Sequence, residues 1–373
     1  MRPHPLPSPL STNERQILDL IRRRETIPRA RIANITGLTS ASVTRITQGM
    51  EERGLIEETE ATRNGRGQPA KPLRLRAAGG CAIGLNFSHS TVDAVLLDLA
   101  GNIRAVIDAP LANTALETIV ETSQSLCHDL LARHPGIGAA MVGVGVSVPG
   151  YRSERPDRFA LHPTFSSLLT RNLTEEFRGS LAQPVMVERD AISAAVGESL
   201  IGHGRNRTSF GFVHLGHGIG GALVQNGAPI YGAHGNAGGI GDLFPRDRPR
   251  PSGSDLIEAL RDAGLDVSDF RDLTAFVPGI CDPLDRWIER AARELRDGLA
   301  LFARIFDPHA IILGGRLPLP ICEQLVQRIT DLPQPATYTD NLPQPEIKVS
   351  THGPLSGAIG AACLPLYSQF FLL

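Results

Sequence analysis

Leu215-Gly216-His217-Gly218-Ile219-Gly220-Gly221 is the stretch whose reading decides the fold of this chain. The apolar run 210–215 before it predicts a strand, and Ala222-Leu223-Val224 directly after it predicts another. Between them the glycines let the backbone reach positive φ and bring N–H groups close to a ligand. A nest of amides of this kind suits phosphate oxygens. The same residues also suit a tight hairpin that binds nothing. Both readings stand until the surrounding chain is taken into account.

Upstream lies a pattern that the chain then repeats. Residues 82–87 and 92–98 predict a hairpin, and a third strand, 103–109, follows the turn at Gly101-Asn102. A helix over about 115–133 leads to a buried strand, 141–148, ended by Pro149-Gly150. A helix over 168–177, a strand at 185–187 and a helix over 190–200 complete the first round. The second round has strands at 210–215, 222–225 and 229–231, helices around 255–263 and 284–305, and a strand at 310–313 ending in Gly314-Gly315. The last helix, about 356–366, is rich in small residues, which predicts close packing. Three strands followed by α/β units, run twice, predict two similar lobes with a cleft between them. Ligands in such sheets sit at the loops beyond the strand ends.

Residues 1–76 read differently. The Pro-rich segment 1–10 predicts disorder. Ser11 or Thr12 caps a helix over 14–24 whose Ile17, Leu18, Leu20 and Ile21 share one face. A short helix over 29–35 follows Pro28 and breaks at Gly37. Thr39 or Ser40 caps a third helix, stopped by Gly54. In that helix Val43, Ile46, Thr47 and Met50 turn to the core. Ser40, Ala41, Ser42, Thr44, Arg45 and Gln48 are left on the outer side, small, hydroxylated and basic, the residue types that touch bases and phosphates. Two helices joined at a glycine, with that face, predict a helix-turn-helix. Residues 55–58 and 73–75 predict a β-ribbon whose tip, 63–71, carries Arg66 and Lys71 and suits a DNA backbone or minor groove.

Composition agrees with that division. Residues 1–76 hold 14 Arg and Lys against 8 Asp and Glu, whereas the remainder holds 23 against 31, so a net charge of −2 hides a basic front on an acidic body. A polyanion partner is expected for the front alone. At 373 residues the chain suits two or three domains, and 42% hydrophobic with 20% charged residues is the balance of a globular protein with ample core. No run of eighteen apolar residues predicts a membrane span, and the N-terminus lacks the apolar region of a signal peptide. The five cysteines, Cys81, Cys127, Cys281, Cys322 and Cys363, are scattered without a C-x-x-C. They predict neither a disulfide framework nor a zinc ribbon, and fit a reducing cytoplasm.

Together these features resemble the ROK family (repressor, open reading frame, kinase) of the sugar-kinase/actin-like fold, over about residues 13–366. The resemblance is carried by Gly143-Val144-Gly145-Val146-Ser147-Val148-Pro149-Gly150, Leu215 to Gly221, Gly232-Ala233-His234-Gly235-Asn236-Ala237-Gly238, Leu313-Gly314-Gly315 and Gly357-Ala358-Ile359-Gly360-Ala361-Ala362. Thr36-Gly37-Leu38-Thr39, Glu52-Arg53-Gly54-Leu55-Ile56 and Gly67-Gln68-Pro69 look like the DNA-binding segment of its transcription-factor branch. The resemblance implies an α/β two-lobed actin-like (ribonuclease H-like) body behind an all-α winged helix-turn-helix. The expected domains are 1–76, a first lobe 77–190 completed by a C-terminal helix in 350–373, and a second lobe 191–349. Gly216, Gly218, Gly220, Gly221, Gly314 and Gly315 then fall in phosphate-loop positions. Asp190 falls at the catalytic aspartate, although a helix start asks for an Asp there anyway. Gly150, Arg189, Asp190, His234, Asn236 and Asp242 fall along the sugar cleft, which His162 can also line.

Departures from the family pattern weigh against phosphoryl transfer. Its first phosphate loop, Asp-x-Gly-Gly-Thr, is matched by Asn86, Phe87, Ser88, His89 and Ser90. The sugar-contacting asparagine is Arg189, a sugar-holding glutamate is Gly239, and a histidine shared by sugar and zinc is Asp242. Arg248-Pro249-Arg250-Pro251-Ser252-Gly253-Ser254 replaces the zinc-binding cysteines, so no metal is expected. Arg189 suits an anionic ligand, or else an internal salt bridge with Glu188 or Asp190. The expected protein is a cytoplasmic repressor, at least dimeric, that binds operator DNA and a carbohydrate-type effector, with no cofactor and no membrane partner. The alternatives are an ATP-dependent sugar kinase with a DNA-binding head, and a protein-interaction module.

Overall fold

The computed structural model describes residues 9–60, 71–138, 140–155, 157–245, 247–333 and 342–371. The head begins with α1 (Thr12–Arg24), opened by a reciprocal cap. The Glu14 N–H donates to Ser11 Oγ at 3.3 Å, and the Ser11 N–H donates to the Glu14 carboxylate at 2.7 Å. Helix α2 (Arg29–Thr36) ends at Gly37, whose φ of 73° is the left-handed conformation that glycine adopts without penalty. Helix α3 (Ser40–Glu52) starts at Thr39, whose Oγ1 accepts the Ser42 N–H at 3.2 Å. Strands β1 (Ile56–Glu58) and β2 (Leu73–Leu75) form the antiparallel wing. Ile17, Leu18, Ile21, Ile32, Val43, Met50, Leu55 and Leu73 are buried together. Arg29 fixes the helix pair against the wing, pairing with Glu51 at 2.7 Å and Glu58 at 2.6 Å while its Nε donates to Thr47 Oγ1.

The body contains two five-stranded sheets of the same design. The first comprises β3 (Cys81–Phe87), β4 (Thr91–Asp98), β5 (Ile103–Pro110), β6 (Met141–Val148) and β9 (Val185–Arg189), in the order β5-β4-β3-β6-β9. Helices α4 (Leu116–Arg133), α5 (Pro135–Gly138) and α6 (Leu173–Leu181) and the small hairpin β7 (Tyr151–Arg152) with β8 (Phe159–Ala160) belong to the same lobe. Helix α7 (Asp190–Ile201) leads to the second sheet. This comprises β10 (Ser209–Leu215), β11 (Ile219–Gln225), β12 (Ala228–Pro229), β13 (Ala310–Gly315) and β14 (Glu346–Val349), in the order β12-β11-β10-β13-β14. Helices α8 (Gly253–Asp262), α9 (Asp282–Phe306) and α10 (Leu319–Asp331) pack around it, and α11 (Ser356–Phe370) follows. In each sheet an antiparallel meander is extended by two parallel strands.

Between the sheets lie α7 and α11, both almost wholly buried. Their backbones approach the sheet and each other directly, as the small residues of the last helix predict. A Cβ on Gly84 would fall 1.9 Å from Ala358 O, and one on Gly360 would fall 1.9 Å from Ser193 O.

The head is clasped to this layer. Arg22 of α1 donates from Nη1 to Ser199 O at 2.9 Å and Leu200 O at 2.8 Å, the last carbonyls of α7. Arg205, just beyond α7, donates in return to Arg22 O and pairs with Glu25 at 2.7 Å. Arg15 donates to Ser368 O at 3.0 Å, at the end of α11.

Three parts of the sequence reading change. The helix expected over 168–177 is a 3-10 segment (Pro163–Leu168) followed by α6, because Asn172 supplies the cap, accepting the Glu175 N–H at 3.3 Å. Helix α10 and strand β14 occupy a region to which the sequence reading gives no element. No helix among the described residues is long and apolar enough to cross a membrane.

Candidate functional sites

On the head, the outer face of α3 presents Ser40, Ala41, Thr44, Arg45 and Gln48 to solvent, while Ser42 is half-buried beneath its bond with Thr39. Arg45 makes no ion pair among the described residues, so its guanidinium is available to a phosphate or a guanine edge. Lys71, at the base of the wing, pairs with Glu58 at 3.4 Å. Arg66 lies outside the described residues.

In the body the chain brings two regions of the cleft together. At the first, β9 ends and α7 begins. Arg189 is the N-cap, and Asp190 is the first helical residue rather than the cap itself. Asp190 accepts the Ala191 N–H at 2.6 Å and lies 3.5 Å from His214 Nε2. Burial pushes the His214 pKa down against the pull of Asp190, so this imidazole is neutral at pH 7. The Glu188 carboxylate accepts the Arg189 backbone N–H at 2.7 Å and pairs with Arg152 at 3.0 Å. The Arg189 side chain, 1% exposed, donates to Ala237 O at 3.2 Å across the cleft and lies over the Tyr151 ring. The salt bridge to Glu188 or Asp190 does not form: among the described residues the Arg189 guanidinium has no carboxylate within 4.0 Å.

Facing it is the segment 231–242. Asn236 bonds the Arg152 backbone through both ends of its amide, accepting its N–H at 2.8 Å and donating to its carbonyl at 2.9 Å. It therefore ties the lobes together and keeps one amide N–H beyond that tie. His234 and Asp242 are exposed. Gly150 has a φ of 147°, and a Cβ there would meet Ala160 O at 2.4 Å. Gly239 faces Tyr151, whose ring lies 3.1 Å from where a Cβ would be. Tyr151 thus crowds the position at which the family pattern has a glutamate and sits in the fields of Asp242, Arg189, Asp190 and Arg250. Tyr151, Arg152 and His214 escaped the sequence reading. His214 left one trace, a polar residue in an otherwise apolar strand.

The glycine stretch has a different role from the one its composition suggests. Only Gly216 and Gly218 lie in the turn, where the Gly216 N–H donates to Gly218 O at 3.0 Å. Gly220 and Gly221 are strand residues paired with His214 and Val213. None of the four has positive φ. Gly221 is needed for close approach, since a Cβ would sit 2.2 Å from Gly238 O. Gly314 and Gly315 seat β13 beside Ser350 and Leu215 in the same way. His217 at the turn's tip packs on His89 of the opposite lobe, centroids 3.9 Å apart; Phe270 lies 4.9 Å from His217, and His162 lies 5.7 Å from His89. Ser90 donates to Asp269, and Arg316 lies 3.6 Å from Asp93. Side chains thus bridge the two turns that would cradle phosphates. His162 belongs to this cluster. Burial drives the His217 pKa down to about 3, so the pair is uncharged at neutral pH. The residues present do not fit ATP and its magnesium here. No group of three or more metal-ligating side chains occurs among the described residues.

The head and body together define a two-lobed sugar-kinase-like protein carrying a winged helix-turn-helix. Residues 82–253 match the ROK family and residues 8–67 match the MarR family. The chain is 36% identical over 364 residues to the protein y4fQ of Sinorhizobium fredii, covering 97% of this chain and 92% of that one. It is 22% identical over 231 residues to the xylose repressor of Bacillus subtilis, covering 62% of this chain and 60% of that protein. Among solved structures it is similar to a ROK family transcriptional regulator, a homologue of the Escherichia coli MLC protein. That match has a TM-score of 0.67 at 18% identity and covers 96% of each chain. The chain belongs to the ROK family, with a MarR-type winged helix-turn-helix at its N-terminal end.

Proposed function

We propose that this protein is a DNA-binding transcriptional repressor whose operator affinity responds to a carbohydrate-type effector held between the lobes. The observation that carries it is the continuous path from the α3 face to the cleft. The exposed Arg45 and Gln48 stand on a head that Arg29 makes rigid, and Arg22 clasps that head to α7, which begins at Arg189 and Asp190. The repressor names and the matching architecture of the relatives support the same reading. Its working units are residues 1–76, 77–190 with the last helix, and 191–349. It acts in the cytoplasm as a homodimer or larger assembly, because a palindromic operator asks for two heads. Ser40, Ala41, Ser42, Thr44, Arg45, Gln48, Arg66 and Lys71 serve DNA. Gly150, Arg189, Asp190, His234, Asn236 and Asp242 surround the effector.

Phosphoryl transfer is not part of this function. It rests on positioning and charge neutralisation together, and the His89–His217 contact occupies the place where phosphates need bare backbone.

Fluorescence anisotropy with DNA from upstream of its own gene tests the proposal. The expected result is tight, steeply salt-dependent binding that exceeds binding to scrambled DNA. Arg45→Ala should weaken it by about 1–3 kcal/mol if Arg45 reads a base, or lower the salt slope by about one if it holds a phosphate. Equal binding to both DNAs would refute the proposal. A coupled ATP-turnover assay across hexoses and amino sugars is expected to stay at background, and turnover at enzyme-like rates would restore the kinase reading.

A further inference from the structure

Resting on the effector reading above, we infer that the cleft is built for a polyol carrying an oxyanion, a carboxylate or a phosphate, which Arg189 neutralises. Three observations carry this.

The Arg189 side chain is almost wholly buried, and although Glu188 and Asp190 act on its charge from a distance, no carboxylate among the described residues lies within 4.0 Å of its guanidinium. Glu188 is committed to Arg152 and to a backbone N–H, and Asp190 is committed to Ala191 and faces His214. An unpaired buried charge is expensive, far more so than a buried pair. A chain that keeps a cation in such a place gains from a ligand that completes the pair.

The guanidinium is also incompletely bonded. Its Nε is buried without an acceptor, and its one hydrogen bond runs to a neutral carbonyl, Ala237 O. A planar fork of N–H donors whose Nε lacks an acceptor, and whose Nη2 is held only by a neutral carbonyl, matches the two oxygens of a carboxylate or phosphate. Ala237 belongs to the segment that Asn236 holds against Arg152, so separating the lobes releases the same donor that a ligand needs.

Finally, the neighbourhood repeats the motif. Arg250, half-buried, donates to Gly241 O and also leaves its Nε without a partner. Arg189 and Arg250 both act on the Tyr151 hydroxyl, which offers the ligand's hydroxyls a donor and acceptor. Beside the carboxylates of Asp190 and Asp242, this chain thus sets two guanidinium groups and a phenol.

The test uses the full chain and matched ligands in isothermal titration calorimetry: glucose, gluconate and glucose 6-phosphate, then xylose and xylonate, with inorganic phosphate as the minimal probe. Ionic strength is held constant. The expected result is at least tenfold tighter binding of an anionic member than of its neutral parent. Phosphate alone should stabilise the wild-type chain to heat more than chloride does. In Arg189→Gln, which restores an amide, both preferences should disappear. Gluconate against glucose 6-phosphate separates the carboxylate source from the phosphate source. Neutral sugars binding as well as their anions would overturn the inference while leaving the carbohydrate reading intact. A chain that responds to no sugar and no anion would overturn both. The wild-type comparison decides the matter even if Arg189→Gln folds poorly.

Discussion

His217 shows how one side chain changes what a glycine turn can do. Its imidazole, with His89, His162, Arg316 and Asp269 around it, is held neutral chiefly by burial, then by His89 and Arg316, against the pull of Asp269. A histidine whose folded pKa lies below its unfolded value takes up its proton more readily when the chain unfolds. Its contribution to stability is therefore complete above about pH 6.5 and declines as pH falls towards the folded value of about 3. His89 and His214 shift in the same direction, also through burial. Replacing His217 with Phe keeps the contact with His89 and removes one such proton. Urea midpoints measured from neutral pH down to about pH 4 should fall less steeply for His217→Phe than for the parent, by up to one proton's worth of slope. Parallel curves would mean that the imidazole is not buried as described.

At the scale of elements, the two-helix layer is the part least tolerant of change. Gly84→Ala would drive a methyl group into the backbone of α11, with no flexible side chain to yield. The expected cost is at least about 3 kcal/mol, read from denaturant unfolding. The Arg22 clasp is a different kind of contact, two charge-assisted bonds to the negative end of α7. Arg22→Met should loosen the head without melting the body, seen as faster hydrogen exchange in α1 and an earlier calorimetric transition for the head. These elements also show what a linear reading can reach. The strands of both sheets apart from β14, the three helices of the head and the close-packed α11 were legible because their signals are local: alternation, caps, runs of small residues. Helix α10 has its apolar stripe at Ile321, Leu325 and Ile329, but its prolines hid the start. Strand β14 is short and half-exposed. Arg189 and Asp190 could be found from the helix start that they form. The Asn236–Arg152 tie joins residues 84 positions apart, and no local pattern encodes it.

For the whole molecule, direct contacts hold the lobes together on both sides of the cleft: His89 with His217 and Arg271 with Asp108 on one, Asn236 with Arg152 and Arg189 with Ala237 on the other. A ligand changes operator affinity only as far as it prefers one arrangement of lobes and heads. Linkage then requires reciprocity: the factor by which effector weakens operator binding must equal the factor by which operator weakens effector binding. Two titrations, each run with and without the other partner, should return the same ratio. In Arg22→Met both ratios should move towards one together.

The clasp also sets an order of assembly. The head is synthesised first, and its apolar core runs on into the layer of α7 and α11, which is synthesised after it. The partners of α1 are made much later. Arg22 waits for Ser199 and Leu200, Glu25 waits for Arg205, and Arg15 waits for Ser368, some 350 residues downstream. During translation the head therefore has no link to the cleft until those partners emerge. It becomes an oriented, ligand-answerable reader only when α11 has emerged and seated. A chain cut short before α11 would lose the buried layer that ties its head to the cleft, and with it the regulation.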